Sequence, residues 1–361
     1  MSIFEQKSSF IHHAPGVGNM PLVTSREILQ KAYENGYAVG GFNAHNLETV
    51  RAIVGAAEEE GAPVIIQLSR SSIEYAGLEL AVSLIGTAAR HATVPVVLHL
   101  DHGMSLELNV QCLRAGFTSL MFDGTEILLK RYREKRGKQE VSSHILVDKV
   151  QSRKAFEANL EMTMKIVEIA HSCGVPVEAE LGKIPRLEDF HAAGIQVPDT
   201  IELSHDALEL TRKLYALPDM AEEFVRESRC DSLAVACGSV HGMTEAVRPL
   251  NIRHLEEIAS RTGIPLVLHG SSGVIRTKRE AESKGMILDR DEGGIEDAIR
   301  AGIAKINIST QLQITFLNAL RRELAEHPEG TDMRRILPPV IRSLKECVIS
   351  YIRLFGASGK A

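Results

Sequence analysis

The chain has no CxxC pair. Its five cysteines, Cys112, Cys173, Cys230, Cys237 and Cys347, are scattered and odd in number. That pattern excludes a disulfide framework and points to free thiols in a reducing compartment. No run of about 18 apolar residues occurs, so no membrane span is expected. The first twenty residues carry Glu5, Lys7, His12 and His13 and lack an apolar core of signal-peptide length. A basic excess is also missing: 41 Lys and Arg face 47 Asp and Glu, for a net charge of −6. A nucleic-acid partner would favour the opposite balance. An anionic small substrate stays open, because a local site can be positive on an acidic protein. The expectation is a cytoplasmic chain with neither a nucleic-acid nor a membrane partner.

What is present is a rhythm. Hydrophobic content of 44% and charged content of 24% are ordinary for a globular chain of 361 residues. Eight short apolar stretches read as strands: 37–42, 63–69, 95–100, 118–123, 176–181, 231–238, 265–270 and 304–308. Helical patterns separate them, opened by caps such as Asn46, Ser105 and Asn251 and closed by Gly61, Gly116 and Gly263. Strands alternating with helices mean a parallel sheet, and eight units predict an α/β fold of the (β/α)8 TIM-barrel type. A doubly wound sheet is the runner-up, but its Gly-rich phosphate turn is missing: GGFNAHN (40–46) is not that motif. Two extra amphipathic helices are expected at 310–326 and 333–354. Residues 1–20 read as a loose arm and 21–361 as a single domain with insertions near 128–153 and 275–293. The first insertion holds six Lys or Arg between Lys130 and Lys138. A solvated surface loop is the first reading of both insertions. A lid or subunit contact is the sharper one.

The chemistry collects at strand ends. VVLHLDHG (96–103) opens as a buried strand and then places His99, Asp101 and His102 where apolar residues would serve the core better. In a barrel of this kind the C-terminal strand ends form the active site. The second strand delivers Ser69 there, the third Asp101 and His102, and the fourth Asp123. The fifth delivers Glu180, the sixth His241, and the seventh His269, Ser271 and Ser272. The eighth delivers Asn307, Ser309 and Thr310. Three histidines and a glutamate on one rim fit Zn²⁺, which takes imidazole and carboxylate and keeps a position open in catalytic sites. GSVHG and HGSSG flank their histidines with glycine, so the backbone can approach a ligand closely. With the Ser272 and Thr310 hydroxyls and nearby helix N-termini, these turns resemble a phosphate cradle.

The motifs HLDHG, VEAELG, GSVHG, HGSSG and KINIST resemble those of the class II, metal-dependent ketose-bisphosphate aldolases, with similarity from about Val23 to the C-terminus. The resemblance implies a lyase that reversibly splits a ketose 1,6-bisphosphate, of fructose or tagatose type, into dihydroxyacetone phosphate and an aldehyde such as glyceraldehyde 3-phosphate. It implies that His102, His241 and His269 hold zinc, with Glu180 as an additional or alternating ligand. Asp101 would exchange the hydroxyl proton at the cleaved bond. Glu188, on the loop after the fifth strand, would handle the carbon proton. Gly242, Gly270, Ser272 and Thr310 would bind phosphate, Asn307 would bind substrate, and Asp123 would support the metal or hold a second one. A monovalent cation, Na⁺ or K⁺, and a homodimer or homotetramer are further expectations. The chemistry agrees: cleavage beside a ketone leaves negative charge that a Lewis acid stabilises, so no Schiff-base lysine is needed.

Three features depart from the family pattern. The loop reads LGKIPRLEDF, where two glycines commonly precede the acidic pair, so Pro185 and Arg186 should stiffen it. Ser309 stands where fructose-type members often have Asp, which leans the expectation toward tagatose 1,6-bisphosphate. The third departure is the pair of long insertions. Another phosphoketose, sulfonated or deoxy, is the alternative substrate. A non-catalytic partner subunit is the alternative class, against which the retention of Asp101 with all three histidines argues.

Overall fold

The computed structural model describes residues 22–136, 142–195, 204–242 and 248–361. The arm expected at 1–20 lies outside them. Strands β1 (Val39–Asn43), β2 (Val64–Ser69), β3 (Val96–Gly103), β4 (Ser119–Phe122), β5 (Val177–Leu181) and β6 (Ser232–Val235) come first. A short pair, β7 (Leu250–Asn251) and β9 (Glu292–Gly293), is antiparallel and stands apart. With β8 (Leu266–Leu268) and β10 (Ile303–Ile308), the other strands close a parallel barrel in the order β1-β10-β8-β6-β5-β4-β3-β2. The α/β barrel expected from the alternation is therefore the fold.

The strands form where the sequence gives apolar runs, and the joints before them stop the helices. Gly263 ends the helix Ile252–Thr262 at φ +63° and returns its N–H to the Ala259 carbonyl. Glycine is needed there because other residues rarely enter that region. Pro265 follows, and β8 begins. The two tail helices, Thr310–Glu326 and Met333–Leu354, pack on each other, and the second lies against Leu47–Glu60.

The barrel interior is more polar than a parallel sheet requires. Alternate residues on each strand face inward, and Gln67, His99, Glu178 and Lys305 are fully buried there. Gln67 sits in register with His99, Gly41 with Asn307, and Ser69 with Asp101. Gly41 makes room for this layer: a Cβ on it would come within 2.6 Å of Gln67 Oε1 and 2.8 Å of Asn307 Oδ1.

The insertion near 128–153 is not a loop where it is described. Gly124–Arg136 and Ser143–Gln151 are helices. Leu129, Leu146 and Val150 bury themselves against Phe190, Leu210 and Leu214. The basic run reads as solvated, but Leu146 and Val150, four apart, supply an apolar stripe that the charge count hides. In the second insertion, Lys278–Ser283 is helical and β9 closes the segment.

Candidate active site

A cavity of about 370 Å³ opens at the C-terminal ends of the barrel strands. Asp101, His102, Glu188, His241, Gly242, His269, Gly270, Ser271, Ser272, Asn307, Ser309, Thr310 and Ser69 all line it. Glu180 and Asp123 sit buried behind His102. Asn43, His45 and Gln313 also face the cavity without a sequence motif to mark them, and Arg186, expected only to stiffen its loop, lines it too.

One nitrogen each of His102, His241 and His269 lies within 4.8 Å of the others. The rings are held from behind. His102 Nδ1 donates to Asp123 Oδ2 at 3.0 Å, and His269 Nε2 donates to Glu178 Oε1 at 2.8 Å. Each carboxylate fixes its ring's tautomer. The remaining nitrogens, His102 Nε2 and His269 Nδ1, then face each other at 3.2 Å, with a lone pair each when His102 is neutral. Two lone pairs at that distance repel unless a cation or a proton lies between them. The donor set therefore fits a metal ion. His102 itself adopts φ +53°, which a residue with a Cβ rarely does. Such a conformation persists only where its surroundings impose it.

Electrostatics sharpen the picture. Burial opposes charge on His102, but Asp101, Asp123 and Glu180 outweigh it and raise its pKa to about 9. Burial, together with the charge on His102, holds His241 far below the usual histidine range, and burial also lowers His269. Burial and the neighbouring Asp123 push Glu180 up to about 8. Its Oε2 has no hydrogen-bond partner. Glu180 groups with His102 and Asp123 rather than with all three histidines.

Asp101 points one oxygen at Asn43 Nδ2, 2.8 Å away, and leaves Oδ1 without a hydrogen-bond partner, 3.9 Å from His102 Nε2. Burial works against its charge, yet His102, His269 and the Asn43 donor keep its pKa below the ordinary value. It is an ionised carboxylate with one oxygen free to accept a proton. Asn43 is fixed in turn by Gln67, whose Nε2 donates to Asn43 Oδ1 at 2.9 Å.

The remaining expected residues differ in what they offer. Gly242 and Gly270 hold φ +80° and +61°. At Gly270 a Cβ would press on the Val240 backbone at 2.9 Å, so only glycine allows that turn. Ser272 and Thr310 face the cavity beside them. Ser271 is buried, and its hydroxyl proton goes to the Asn307 carbonyl. Ser69 caps the short helix Arg70–Ala76 by accepting from the Ser72 N–H. Asn307 Nδ2 contacts the His269 ring at 3.0 Å. Glu188 is exposed at the rim. His99 is structural: Ser119 and Lys305 satisfy both its nitrogens.

The sequence reading missed Glu178 and Lys305. Lys305 Nζ donates to Glu178 Oε2 at 2.7 Å, which completes the support behind His269. The signal was there: Glu178 with Glu180, and Lys305 with Asn307, are two apart, so each pair shares the inward face.

At the mouth of a closed parallel barrel, then, three histidines that could hold a metal converge beside a carboxylate oxygen with no hydrogen-bond partner and two glycine turns of positive φ. The family model "Fructose-bisphosphate aldolase class-II" matches residues 23–360. The chain belongs to that family, whose members are aldehyde-lyases that cleave ketose bisphosphates and are generally metal-dependent. The "Probable fructose-bisphosphate aldolase" of Bacillus subtilis is 37% identical over 346 residues, covering 95% of this chain and 100% of that one. The fructose-bisphosphate aldolase of Helicobacter pylori is 35% identical, covering 94% and 99%. The crystal structure of the YdjI aldolase from Escherichia coli K12 superposes with a TM-score of 0.68 at 29% identity, covering 94% and 99%. No helix among the described residues is long and apolar enough to cross a membrane.

Proposed function

We propose that this chain is a zinc-dependent aldolase acting on a ketose 1,6-bisphosphate of fructose or tagatose type. The products are dihydroxyacetone phosphate and glyceraldehyde 3-phosphate. His102, His241 and His269 hold the ion, and Glu180 is the extra ligand within reach of the same ring. When bound, the ion supplies Lewis-acid stabilisation to the ketone half of the substrate. Gly242, Gly270, Ser272 and Thr310 take the phosphate of that half, through backbone N–H groups and hydroxyls. Asn307 and Ser309 meet the hydroxylated carbons.

Asp101 accepts the hydroxyl proton as the carbon–carbon bond breaks, and returns it in condensation. Glu188 delivers a proton to the carbon that becomes the end of dihydroxyacetone phosphate. Two carboxylates in different settings suit two different proton transfers: one buried and held ionised, one at the rim. The observation that carries this reading is the free Oδ1 of Asp101 beside the histidine triad. The test is Asp101→Asn. It should keep its metal and lose about 10²–10⁴ in turnover, the usual worth of a positioned acid–base group. Turnover at the wild-type level would remove Asp101 from the mechanism.

A further inference from the structure

The loop that carries Glu188 is built into a buried ionic network. Lys183 and Asp189, on either side of Glu188, are each 2% exposed. Lys183 Nζ pairs with Glu126 Oε2 and lies 3.9 Å from Asp189 Oδ2. Arg133 bridges the same two carboxylates: Nη1 reaches Glu126 Oε1 at 3.2 Å, and Nη2 pairs with Asp189 Oδ1. Asp189 Oδ2 also accepts from the Arg186 N–H at 2.8 Å. Two cations thus balance two carboxylates, as buried charges require.

Both Glu126 and Arg133 belong to the helix Gly124–Arg136, which enters the first insertion. The apolar packing runs the same way: Phe190 buries itself among Leu129, Leu146 and Val150. The loop is also pinned on its other edge, where Pro185 accepts from the His241 N–H at 2.9 Å and Lys183 donates its N–H to Leu214. The network continues to the metal triad. Glu126 N–H donates to Asp123 Oδ1 at 2.8 Å, and Asp123 Oδ2 holds His102. One set of contacts therefore links the residue next to Glu188 to a ring of the histidine triad.

We propose that Arg133 is a positioning residue: it clamps the acid-bearing loop so that Glu188 stands at a fixed distance from the histidine triad. The proposal rests on reading Glu188 as the group that moves the carbon proton. Misplacing such a group by about 1 Å can cost on the order of a hundredfold.

The experiment measures exchange of the C3 hydrogens of dihydroxyacetone phosphate with solvent, in zinc-loaded wild type, Glu188→Gln and Arg133→Met. Metal content and thermal stability are checked for each. Condensation is then run with C3-deuterated dihydroxyacetone phosphate. Loss of the clamp should slow exchange about tenfold or more and should raise the primary isotope effect on kcat. A merely structural role lowers the active fraction and leaves the isotope effect where it was. If Glu188→Gln loses exchange while Arg133→Met stays within about twofold of wild type, the clamp is overturned and the Glu188 reading stands. If Glu188→Gln itself exchanges normally, the Glu188 reading fails and takes this proposal with it. Should Arg133→Met not fold, Arg133→Lys keeps the charge but cannot bridge both carboxylates. It should still show the raised isotope effect, and a wild-type value there also overturns the clamp.

Discussion

Replacing Glu178 by Gln changes one atom and tests the support behind the metal site. Glu178 accepts from two donors at once, His269 Nε2 at 2.8 Å and Lys305 Nζ at 2.7 Å. An amide can accept at only one of those positions. Lys305 has donors only, so it claims the amide oxygen. The amide NH₂ then faces His269 Nε2, which can accept only if the ring moves its proton to Nδ1. That nitrogen is the one facing His102 Nε2 at 3.2 Å. The variant therefore places a proton where the lone pair for the metal should be. Loss of such a supporting carboxylate typically weakens metal binding about 10- to 100-fold, or roughly 1.4–2.7 kcal/mol. A chelator-competition titration of Glu178→Gln reads this directly, with thermal unfolding as the check on folding. Lys305→Met is the companion. It strands a buried carboxylate and should cost about 3–5 kcal/mol of stability in denaturant unfolding, most of which the double variant recovers. Metal affinity within about twofold of wild type in Glu178→Gln would refute the tautomer argument.

Three further outcomes follow from the same geometry. In metal-free protein, the His102 pKa is raised to about 9, so its contribution to stability is complete below the unfolded value near 6.5 and is lost as pH rises through 9. That loss is on the order of 3 kcal/mol in pH-dependent denaturation, with Glu180 acting in the same direction. Zinc-loaded protein should show no such slope, and a flat metal-free curve would contradict the His102 assignment. Among the described residues, Arg186 is the cavity's sole Lys or Arg, and the nearby carboxylates of Glu126, Asp123, Glu180 and Asp189 favour its charge. Arg186→Gln should raise KM for the bisphosphate about tenfold or more, and an unchanged KM would show that the substrate's anions are held elsewhere. Ser309→Asp should shift the ratio of kcat/KM toward fructose over tagatose 1,6-bisphosphate by about ten- to a hundredfold, the worth of one charged hydrogen bond. An unchanged ratio would place specificity away from Ser309.

The strand-end motifs were legible because polar residues there interrupt apolar runs. HLDHG and HGSSG declare themselves in that way, and the barrel's closure brings them to one rim. The strands and the two tail helices were legible from periodicity and glycine stops. The support layer was harder. The i, i+2 spacing puts Glu178 and Lys305 on the inward face, but only the register of a closed barrel sets them against each other. The Arg133–Asp189 pair spans 56 positions of sequence. Arg133 lies in a basic run that reads as a solvated surface loop, so nothing local shows that one guanidinium of that run reaches a loop far along the chain. Pro185 and Arg186 did announce a stiff loop, and its hydrogen bonds to Leu214 and His241 agree.

Charge at the site argues for a divalent ion independently of ligand geometry. Asp101, Asp123, Glu126, Glu178, Glu180 and Asp189 are all buried in or directly behind the cavity. The cations set against these six carboxylates are Lys183, Lys305, Arg133 and Arg186. His99, His241 and His269 add nothing, since burial keeps their pKa values low. Fully ionised, the site therefore carries an excess of two negative charges in a medium that tolerates none. Without metal, two protons remove that excess: one on His102, raised to about 9, and one on Glu180, raised to about 8. His102 belongs to the converging histidines, and Glu180 Oε2 lies 3.9 Å from its Nδ1. A doubly charged ion placed there would do what the two protons do, and would displace them. The raised pKa values of His102 and Glu180 and the close approach of His102 Nε2 to His269 Nδ1 point the same way: positive charge is favoured at this place, by protons without a metal and by the ion in the proposed holoenzyme.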